Sequence, residues 1–363
     1  MRNKKYVIPV FIPHLGCPND CSFCNQRAIT ARQSPITPQD VTKEIETYLG
    51  YCHTRPQGAE LAFYGGSFTG IGEDRMRAYL ERAIPYLESG VIESIRVSTR
   101  PDYIDNEILN LLWEYGVRTI ELGAQSMVDE ILMDNDRGHT SQDTRRAVEQ
   151  IRGRGFRLGI QMMLGLYAAK REDEMKSARE ILKLSPDFVR IYPTLVLKGT
   201  KLEGLLIDGD YEPLSLHETI DLLVEIVPCF ESAGIPIIRL GLYESGEQPL
   251  DVAGGPRHPA IRQLVYSQLY FDMLRDSLLK QELSESLCIT AGDEELSYLV
   301  GHRGENRKRL RECFGFTSIR FNRDPSGKWI CLQSGEEKWT LDFWSYMRKR
   351  GRVETKETGN TWV

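Results

Sequence analysis

The sequence predicts an α/β fold in which a partial (β/α)6 barrel of the TIM type is followed by a small α+β domain. Two observations predict it. Short apolar segments alternate with amphipathic ones over residues 7–197, whereas the order of elements changes after residue 280. The chain of 363 residues is long enough for both parts. We therefore expect a barrel with its C-terminal extension over residues 1–280, a second domain over residues 281–352 and a flexible tail over residues 353–363.

Six apolar segments are predicted as strands, with helices between them. Because strands and helices alternate, we expect a parallel sheet with functional residues on the loops at the carboxyl ends of its strands. The strands are Val7–Pro13, Glu60–Tyr64, Ile95–Thr99, Thr119–Leu122, Arg157–Met163 and Phe188–Leu197, and helices include Thr37–Leu49, Gly72–Leu87 and Asp105–Tyr115.

Composition and charge indicate the localisation of the protein and the kind of partner that it binds. The sequence has no run of apolar residues long enough to cross a membrane and no apolar leader after Met1, so we expect a cytoplasmic protein without a membrane partner. The net charge is −6, but residues 297–352 carry thirteen Lys or Arg against six Asp or Glu. Such a basic segment favours contact with a polyanion, although it is also compatible with a solvated surface.

Three cysteines, Cys17, Cys21 and Cys24, follow the first predicted strand. Three thiolates on one loop leave one iron of a [4Fe–4S] cluster open to another ligand. Structural zinc would need a second Cys-x-x-Cys pair, which the chain lacks, and a thioredoxin-like site would need only two cysteines. The five other cysteines are scattered singly, so we expect no second cluster.

The CxxxCxΦC spacing, with Phe23 before the last cysteine, resembles the radical S-adenosylmethionine superfamily. The resemblance implies a [4Fe–4S] cluster ligated by Cys17, Cys21 and Cys24, with S-adenosyl-L-methionine (SAM) on the open iron. It also implies an external one-electron donor such as flavodoxin or ferredoxin.

Polar residues appear where each predicted strand stops. Tyr64-Gly65-Gly66-Ser67 follows the second strand, and the resemblance assigns Gly65 and Gly66 to the methionine amino group of the cofactor; a tight βα turn is the alternative. Ser98 and Arg100 end the third strand. Downstream, Asp136–Thr140 contains Arg137 and His139, the latter either a proton shuttle near neutral pH or a helix cap.

Residues 98–103, 121–126, 136–140 and 189–200 narrow the resemblance to the radical domain of the catalytic subunit of Elongator, which modifies the wobble uridine of transfer RNA. That resemblance spans Tyr6–Asp276, without an acetyltransferase domain after it, so acetyl-CoA-dependent carboxymethylation is not implied. A broader kinship with oxygen-independent coproporphyrinogen oxidase implies that Gln125, Arg137 and Gln161 lie along the cofactor. Ser98 stands where the porphyrin enzyme has an acidic residue for the ribose.

These considerations give two sets of candidate residues at the barrel mouth. Positive charge there could guide a phosphate-bearing substrate, although Arg190 could equally pair with carboxylates. The candidate catalytic residues are Arg137, His139, Tyr192 and Lys198. The candidate cofactor-binding residues are Phe23, Gly65, Gly66, Ser67, Ser98, Arg100, Gln125, Arg137, Gln161 and Arg190.

The C-terminal segment predicts the order βα-GxxG-αββα, which resembles a KH domain. In such domains the GxxG loop clamps the backbone of single-stranded RNA. The candidate RNA-binding residues are Gly301, His302, Arg303, Gly304, Arg307 and Lys308. A helix-turn-helix corner also explains the glycines. The last helix is predicted over Glu336–Arg350, with Trp339, Phe343 and Met347 on its core face.

Three functional hypotheses remain open on the sequence. The first is a radical SAM enzyme that acts on transfer RNA or another RNA, and not on DNA. The second is a radical enzyme that acts on a small molecule such as a tetrapyrrole, which makes no use of the basic tail. The third is an RNA-binding protein with a structural cluster, which makes no use of the glycine loop at Gly65.

Overall fold

A computed structural model describes residues 6–12, 17, 21–25, 36–51, 58–242, 251–325, 327 and 329–356. The chain divides into two compact units. Unit 1 comprises Met1–Leu214 with Leu242–Arg257, and unit 2 comprises Ser215–Gly241 with His258–Val363. The segment 281–352 lies within unit 2, and the domain boundary at residue 280 stays a prediction.

Unit 1 is built on six parallel strands that neighbour one another in chain order. They are β1 (Val7–Ile12), β2 (Ala59–Gly65), β3 (Ile92–Thr99), β4 (Val117–Gln125), β5 (Arg157–Leu164) and β6 (Phe188–Pro193). Each strand pairs in parallel with the next, from β1 to β6. The strands curl into a half-barrel, which confirms the predicted α/β class and the partial barrel. Pro13, the last residue of the first predicted strand, lies outside the described residues.

Helices connect these strands, and several of them begin at polar caps. Thr37 and Thr140 each accept a hydrogen bond from the main-chain N–H of an Asp three residues on, in reciprocal capping boxes that satisfy the first helical N–H groups. The helices of unit 1 are α1 (Pro38–Gly50), α2 (Glu73–Leu80), α3 (Ile84–Glu88), α4 (Asn106–Glu114), α5 (Asp129–Asp134), α6 (Ser141–Gly153), α7 (Arg171–Lys183) and α8 (Lys201–Asp208).

Two predicted elements of unit 1 are shorter in the structure. The helix predicted over Gly72–Leu87 is interrupted by a 3-10 turn and restarts as α3. Pro85 lies in the first turn of α3, where its missing N–H costs nothing. The strand predicted over Phe188–Leu197 stops at Pro193. Val196–Leu197 forms β7, which pairs antiparallel with β9 (Val252–Gly254).

Unit 2 combines helices with a four-stranded mixed sheet. The strands of this sheet are β10 (Ser286–Ala291), β11 (Ser318–Arg323), β12 (Ile330–Ser334) and β13 (Glu337–Leu341), and a further strand, β8 (Ile237–Leu240), is not part of it. The helices are α9 (Leu216–Ser232), α10 (Ile261–Leu278), α11 (Asp293–Val300), α12 (Glu305–Phe314) and α13 (Phe343–Lys356). The sheet order is β11-β10-β12-β13. β10 and β11 are parallel because two helices connect them.

The final predicted helix begins later than expected. Residues 337–341 form β13, which pairs with β12 through a two-residue hairpin loop, and α13 starts only at Phe343. Gly335, with φ of +60°, supplies the backbone that such a hairpin requires, so the turn overrides the helical pattern. The observed order is therefore βα-GxxG-αβββα, with one strand more than predicted.

The core face of α13 agrees with the prediction except at Trp339. Phe343 stacks on Tyr270 with ring centroids 3.9 Å apart, and Met347 is buried. Trp339 lies instead on β13, where its indole N–H donates to Ser277 Oγ at 2.9 Å. α13 runs to Lys356, and residues 357–363 of the predicted tail lie outside the described part of the chain.

In the described residues, no helix combines the length and the apolar character needed to cross a bilayer.

Candidate active site

The three cysteines lie on the loop after β1. Cys21 is buried, Cys17 and Cys24 are half-buried, and residues 18–20 lie outside the described part of the chain. The Cys24 N–H donates to the Cys21 carbonyl at 2.9 Å. Within the described residues, no three His, Cys, Asp or Glu side chains are already arranged as a metal site. The loop nonetheless carries the thiol donors that iron–sulfur clusters use.

Arg137 joins the cysteine loop to the carboxyl end of β4. Its Nη1 lies 3.4 Å from Cys21 Sγ, and its Nη2 donates to the Gly123 carbonyl at 2.8 Å. A Cβ on Gly123 would lie 2.9 Å from that Nη2 and from Gln125 Nε2, so a larger residue there would displace the ends of both side chains. Burial raises the pKa of the Cys17 thiol, and the charge of Arg137 opposes this effect. A cation beside thiols favours the thiolate form that binds metal.

Arg100 forms a second buried cation near the loop. It is 2% exposed and binds both carboxylate oxygens of Asp102, at 2.9 and 2.8 Å. Its main-chain N–H donates to Ser67 Oγ at 3.2 Å, and Ser67 Oγ lies 2.8 Å from Thr99 Oγ1. The loops after β2 and β3 therefore form one hydrogen-bonded group.

Among the buried guanidinium nitrogens that lack a hydrogen-bond partner in the described residues are Arg100 Nη1 and Arg137 Nε, which belong to the two arginines near the cysteine loop. Buried donors are normally satisfied, so these two nitrogens are candidate donors to a bound molecule. A carboxylate is the acceptor that arginine binds most strongly.

Gly65 is required by the packing of β2 against β1. It has φ of +107°, and a Cβ there would lie 2.8 Å from the Ile12 carbonyl oxygen. The Gly66 N–H donates to the same oxygen at 2.8 Å. The close approach to β1 thus explains why residue 65 is a glycine. The cofactor-binding role of Gly65, Gly66 and Ser67 stays a prediction.

Two glutamines that were predicted to lie along the cofactor contact each other. Gln161 Nε2 donates to Gln125 Oε1 at 3.2 Å. Gln125 has φ of +65°, a conformation that costs a non-glycine residue free energy and often occurs at functional sites. Ser98 is half-buried and lies in register with Glu121 of the next strand.

Asn135 holds the middle of the cysteine loop, which the sequence did not predict. Its Oδ1 accepts from Ser22 Oγ at 2.7 Å and its carbonyl from the Ser22 N–H at 3.1 Å. Its Nδ2 donates to the Tyr167 carbonyl at 3.0 Å. The Leu202 N–H donates to the Ser22 carbonyl at 2.8 Å, so Ser22 anchors this loop to two other segments, and Asn135 is itself bonded to Tyr167. No sequence pattern marks a buried Asn of this kind.

Phe23 anchors the same loop through apolar packing. Its ring contacts two buried clusters, one of Val128, Ile131, Met163 and Leu166, and one of Val196, Leu202 and Tyr211. Tyr192, a predicted catalytic residue, packs against the first of these clusters. Phe23 and Tyr192 are therefore neighbours of one apolar cluster, and a contact of Phe23 with the cofactor stays a prediction.

His139 is buried and uncharged. Burial, assisted by the charge of Arg137, lowers its pKa to about 3. Because this pKa keeps the ring neutral near pH 7, it does not favour the proton shuttle that was one of the open alternatives, and a catalytic role for His139 stays a prediction. It can still donate or accept a hydrogen bond.

A buried network of charges fills the interior of the half-barrel. Arg96 pairs with Glu60 and with Glu121, each at 2.5 Å. Arg190 Nε lies 2.8 Å from Glu121 Oε2, so pairing with a carboxylate, the alternative role for Arg190, is observed. Contact of Arg190 with the cofactor stays a prediction.

The side chain of Lys198 pairs with Asp251 and not with the buried charge network. Its ammonium binds Asp251 at 2.9 Å and its side chain is 56% exposed, while its carbonyl accepts from Asn25 Nδ2 at 3.0 Å. The main chain of Lys198 thus contacts the cysteine loop and its amino group does not. A catalytic role for that amino group stays a prediction.

In unit 2, the GxxG loop connects α11 to α12. A Cβ on Gly301 would lie 2.8 Å from the Asn306 main-chain nitrogen, and Gly301 has φ of +80°. Asn306 Nδ2 in turn donates to the Ser267 and Tyr298 carbonyls, at 2.8 and 3.0 Å. Gly304 also has φ of +80°, with open space beside it. The loop needs both glycines for its shape.

Basic side chains surround this loop. Arg303 is exposed at φ of +54°, and Arg307 is exposed with its guanidinium 5.1 Å from the centre of the Phe321 ring. Lys308 is exposed and lies 3.9 Å from Glu312, a distance at which water screens the pair strongly. Exposed positive charge beside a glycine loop is suited to phosphate groups.

Two family models match consecutive parts of the chain. The family model of the radical SAM superfamily matches residues 11–180, and that of the radical SAM C-terminal domain matches residues 186–270. The tRNA uridine(34) acetyltransferase of Methanocaldococcus jannaschii is 34% identical over 130 residues, which is 35% of this chain and 24% of that protein. The Elongator complex protein 3 of Bos taurus is 25% identical over 68% of this chain and 47% of its own length.

A solved structure supports the fold. The archaeal Methanocaldococcus infernus Elp3 with an N-terminal deletion superposes with a TM-score of 0.60 at 21% identity, covering 75% of this chain and 63% of that one. The chain thus spans about a quarter of the M. jannaschii acetyltransferase and about half of the bovine Elongator protein.

Proposed function

Because the chain belongs to the radical SAM superfamily, we propose that it is an enzyme that modifies a nucleoside of transfer RNA. One observation carries the proposal: Arg137 ties the cysteine loop to the carboxyl end of β4, the edge of the sheet at which barrel enzymes perform their chemistry. Enzymes of this superfamily use a [4Fe–4S] cluster and SAM.

The residues present fit these two cofactors. Cys17, Cys21 and Cys24 would ligate three irons of the cluster, which would supply one-electron reduction of bound SAM. The unpartnered nitrogens of Arg100 and Arg137 would bind the carboxylate of the cofactor. An external one-electron donor would reduce the cluster.

Other residues would orient and shield the bound cofactor. The main chain at Gly65 and Gly66 would approach it closely, and the Gln125–Gln161 pair would hydrogen-bond along its length. Phe23 and its apolar clusters would keep water away from the cysteine loop. His139, neutral at working pH, would act as a hydrogen-bonding group near Arg137.

Transfer RNA is the proposed substrate on two grounds. The relatives include tRNA uridine(34) acetyltransferases, and unit 2 carries an exposed basic loop of the GxxG type. Gly301 and Gly304 would admit the sugar-phosphate backbone, with Arg303 and Arg307 neutralising phosphates. The charge would make this binding sensitive to salt.

The test is a nucleoside analysis of transfer RNA treated with the protein. Reconstituted, reduced protein is incubated with SAM and bulk tRNA, which is then digested and examined by mass spectrometry. We expect one nucleoside to change mass in a SAM-dependent way, and no change with Cys21→Ala. Formation of 5′-deoxyadenosine without any altered nucleoside would instead favour a small-molecule substrate.

A further inference from the structure

Two tyrosines face the open side of the half-barrel. On β6, Arg190 and Tyr192 are half-buried whereas Val189, Ile191 and Pro193 are buried, so the first two share the accessible face of the strand. Tyr64, at the carboxyl end of β2, is half-buried and hydrogen-bonds to Arg190, which puts it on the same face. Both tyrosines are therefore on the same face of the sheet and are incompletely buried.

Arg190 determines the hydrogen-bonding role of these two hydroxyl groups. Its Nη2 donates to the Tyr64 hydroxyl at 2.9 Å, and its Nη1 to the Tyr192 hydroxyl at 3.3 Å. A guanidinium has no acceptor, so both phenol oxygens accept and each retains its own proton. In the described part of the chain, no hydrogen-bond acceptor for either proton is found. Two O–H donors are thus presented by one guanidinium.

The surrounding charge shows what these donors can bind. Arg190 and Arg96 are matched by Glu121 and Glu60, two carboxylates against two guanidinium groups. Since these four side chains carry no net charge together, they exert no net long-range attraction on a phosphate or carboxylate group. Burial, reinforced by Glu121, raises the pKa of Tyr64 to about 12, which keeps its proton in place at neutral pH. The two hydroxyl groups are uncharged donors, which suit an uncharged hydrogen-bond acceptor.

We propose that Tyr64 and Tyr192 form a specificity site that donates two hydrogen bonds to a neutral carbonyl group of the substrate, namely a pyrimidine-base carbonyl. Tyr192 packs on the same apolar cluster as Phe23 of the cysteine loop, so the carbonyl would be held beside the cofactor site. The inference rests on the proposed function because it assumes that the substrate is a nucleoside in RNA. A base with carbonyl oxygens offers acceptors for both donors.

The test measures uridine binding to the full-length, cluster-loaded protein by equilibrium dialysis. Tyr64→Phe and Tyr192→Phe keep the ring and remove only the hydroxyl, and the double variant should bind uridine at least about tenfold more weakly. Orthophosphate should not displace uridine from the wild type. Tyr86→Phe is the matched control, since Tyr86 donates to Glu46 on the outer helices and its loss should leave uridine affinity unchanged. All proteins are compared at equal iron content.

A second arm separates this inference from the proposed function. If tRNA fails to stimulate 5′-deoxyadenosine release by the wild type, the proposed function is wrong, and the dialysis result still decides the inference. Equal uridine affinity of wild type and double variant, displacement of uridine by orthophosphate, or no saturable uridine binding by the wild type would each overturn the inference. Stimulation by tRNA that drops about tenfold in the double variant would support both.

Discussion

The cysteine-loop region of unit 1 and the GxxG loop of unit 2 use positive charge in opposite ways. Arg100 and Arg137 are 2% and 7% exposed and are held by Asp102 and by the Gly123 carbonyl. Arg303 and Arg307 are exposed on a loop and its following helix. Buried, fixed cations suit one ligand in one orientation, whereas exposed cations suit a polyanion in many registers. Under the proposed function, the small cofactor would bind in unit 1 and the RNA backbone in unit 2.

The largest effect is expected from Cys21→Ala. Removing one of three thiols should abolish the visible absorption of the cluster and all release of 5′-deoxyadenosine, because three ligands are needed to hold a site-differentiated cubane. Cys313→Ala is the control, since Cys313 is exposed on α12 in unit 2. Release of 5′-deoxyadenosine by Cys21→Ala at the wild-type rate would break the assignment of chemistry to unit 1.

Arg137→Gln should have the next largest effect. The substitution removes the guanidinium that binds Cys21 and Gly123, together with its charge next to the cysteine loop, so SAM binding should weaken about tenfold or more. Binding is measured by equilibrium dialysis at matched iron content. Arg77→Gln removes an exposed arginine paired with Glu73 and should change nothing. If both variants bound SAM like the wild type, buried cations would not explain cofactor binding.

Arg303→Glu should weaken RNA binding without affecting the cysteine-loop region. We expect tRNA affinity to fall about 3- to 10-fold and the salt dependence to become shallower, by about 0.7 in log–log slope for each phosphate that the loop no longer neutralises. Cluster absorption and tRNA-independent cleavage of SAM report on unit 1. Lys349→Glu makes the same charge change on exposed α13. Equal losses of affinity in the two variants would mean that overall charge matters and the loop does not.

The smallest effect is expected from Glu174→Gln. Burial raises the pKa of Glu174 to about 8, although the Gly165 N–H donates to its carboxyl at 2.6 Å. The folded protein therefore holds a proton that the unfolded chain loses near pH 4.5, so wild-type stability falls as pH rises from about 4.5 to about 8. The glutamine variant should escape this loss, gaining about 2–4 °C in unfolding midpoint over wild type between about pH 6 and about pH 9.

Glu172→Gln provides the matched control for that experiment, since Glu172 is exposed in the first turn of the same helix. The difference in unfolding midpoint between Glu172→Gln and wild type should stay constant over the same pH range. A constant difference for Glu174→Gln as well would show that Glu174 is ionised in the folded protein.

Much of the fold of unit 1 was predictable because apolar alternation and capping residues are local signals. The strands of the sheet and the cap at Thr37 follow directly from the sequence. The extra strand β13 did not, because Gly335 closes a hairpin whose stability depends on pairing with β12. At residues 337–341, pairing with β12 overrode the helical pattern of the sequence.

The site was predictable to the extent that chemistry is carried by residue type. Cysteine spacing and the strand-end positions of Arg100 and Gln125 were visible in the sequence. The role of Asn135 was not, since its bonds to Ser22 span 113 residues. The ion pair between Arg190 and Glu121 likewise depends on tertiary structure, because the two residues lie on different strands.

The most direct test of the account is 5′-deoxyadenosine release by the reconstituted, reduced protein with SAM, with and without bulk tRNA. Radical chemistry directed at RNA predicts release that depends on the cluster and rises strongly when tRNA is added. Release that is the same with and without tRNA would keep the radical chemistry and contradict the assignment of an RNA substrate. No release under either condition would contradict the account at its centre.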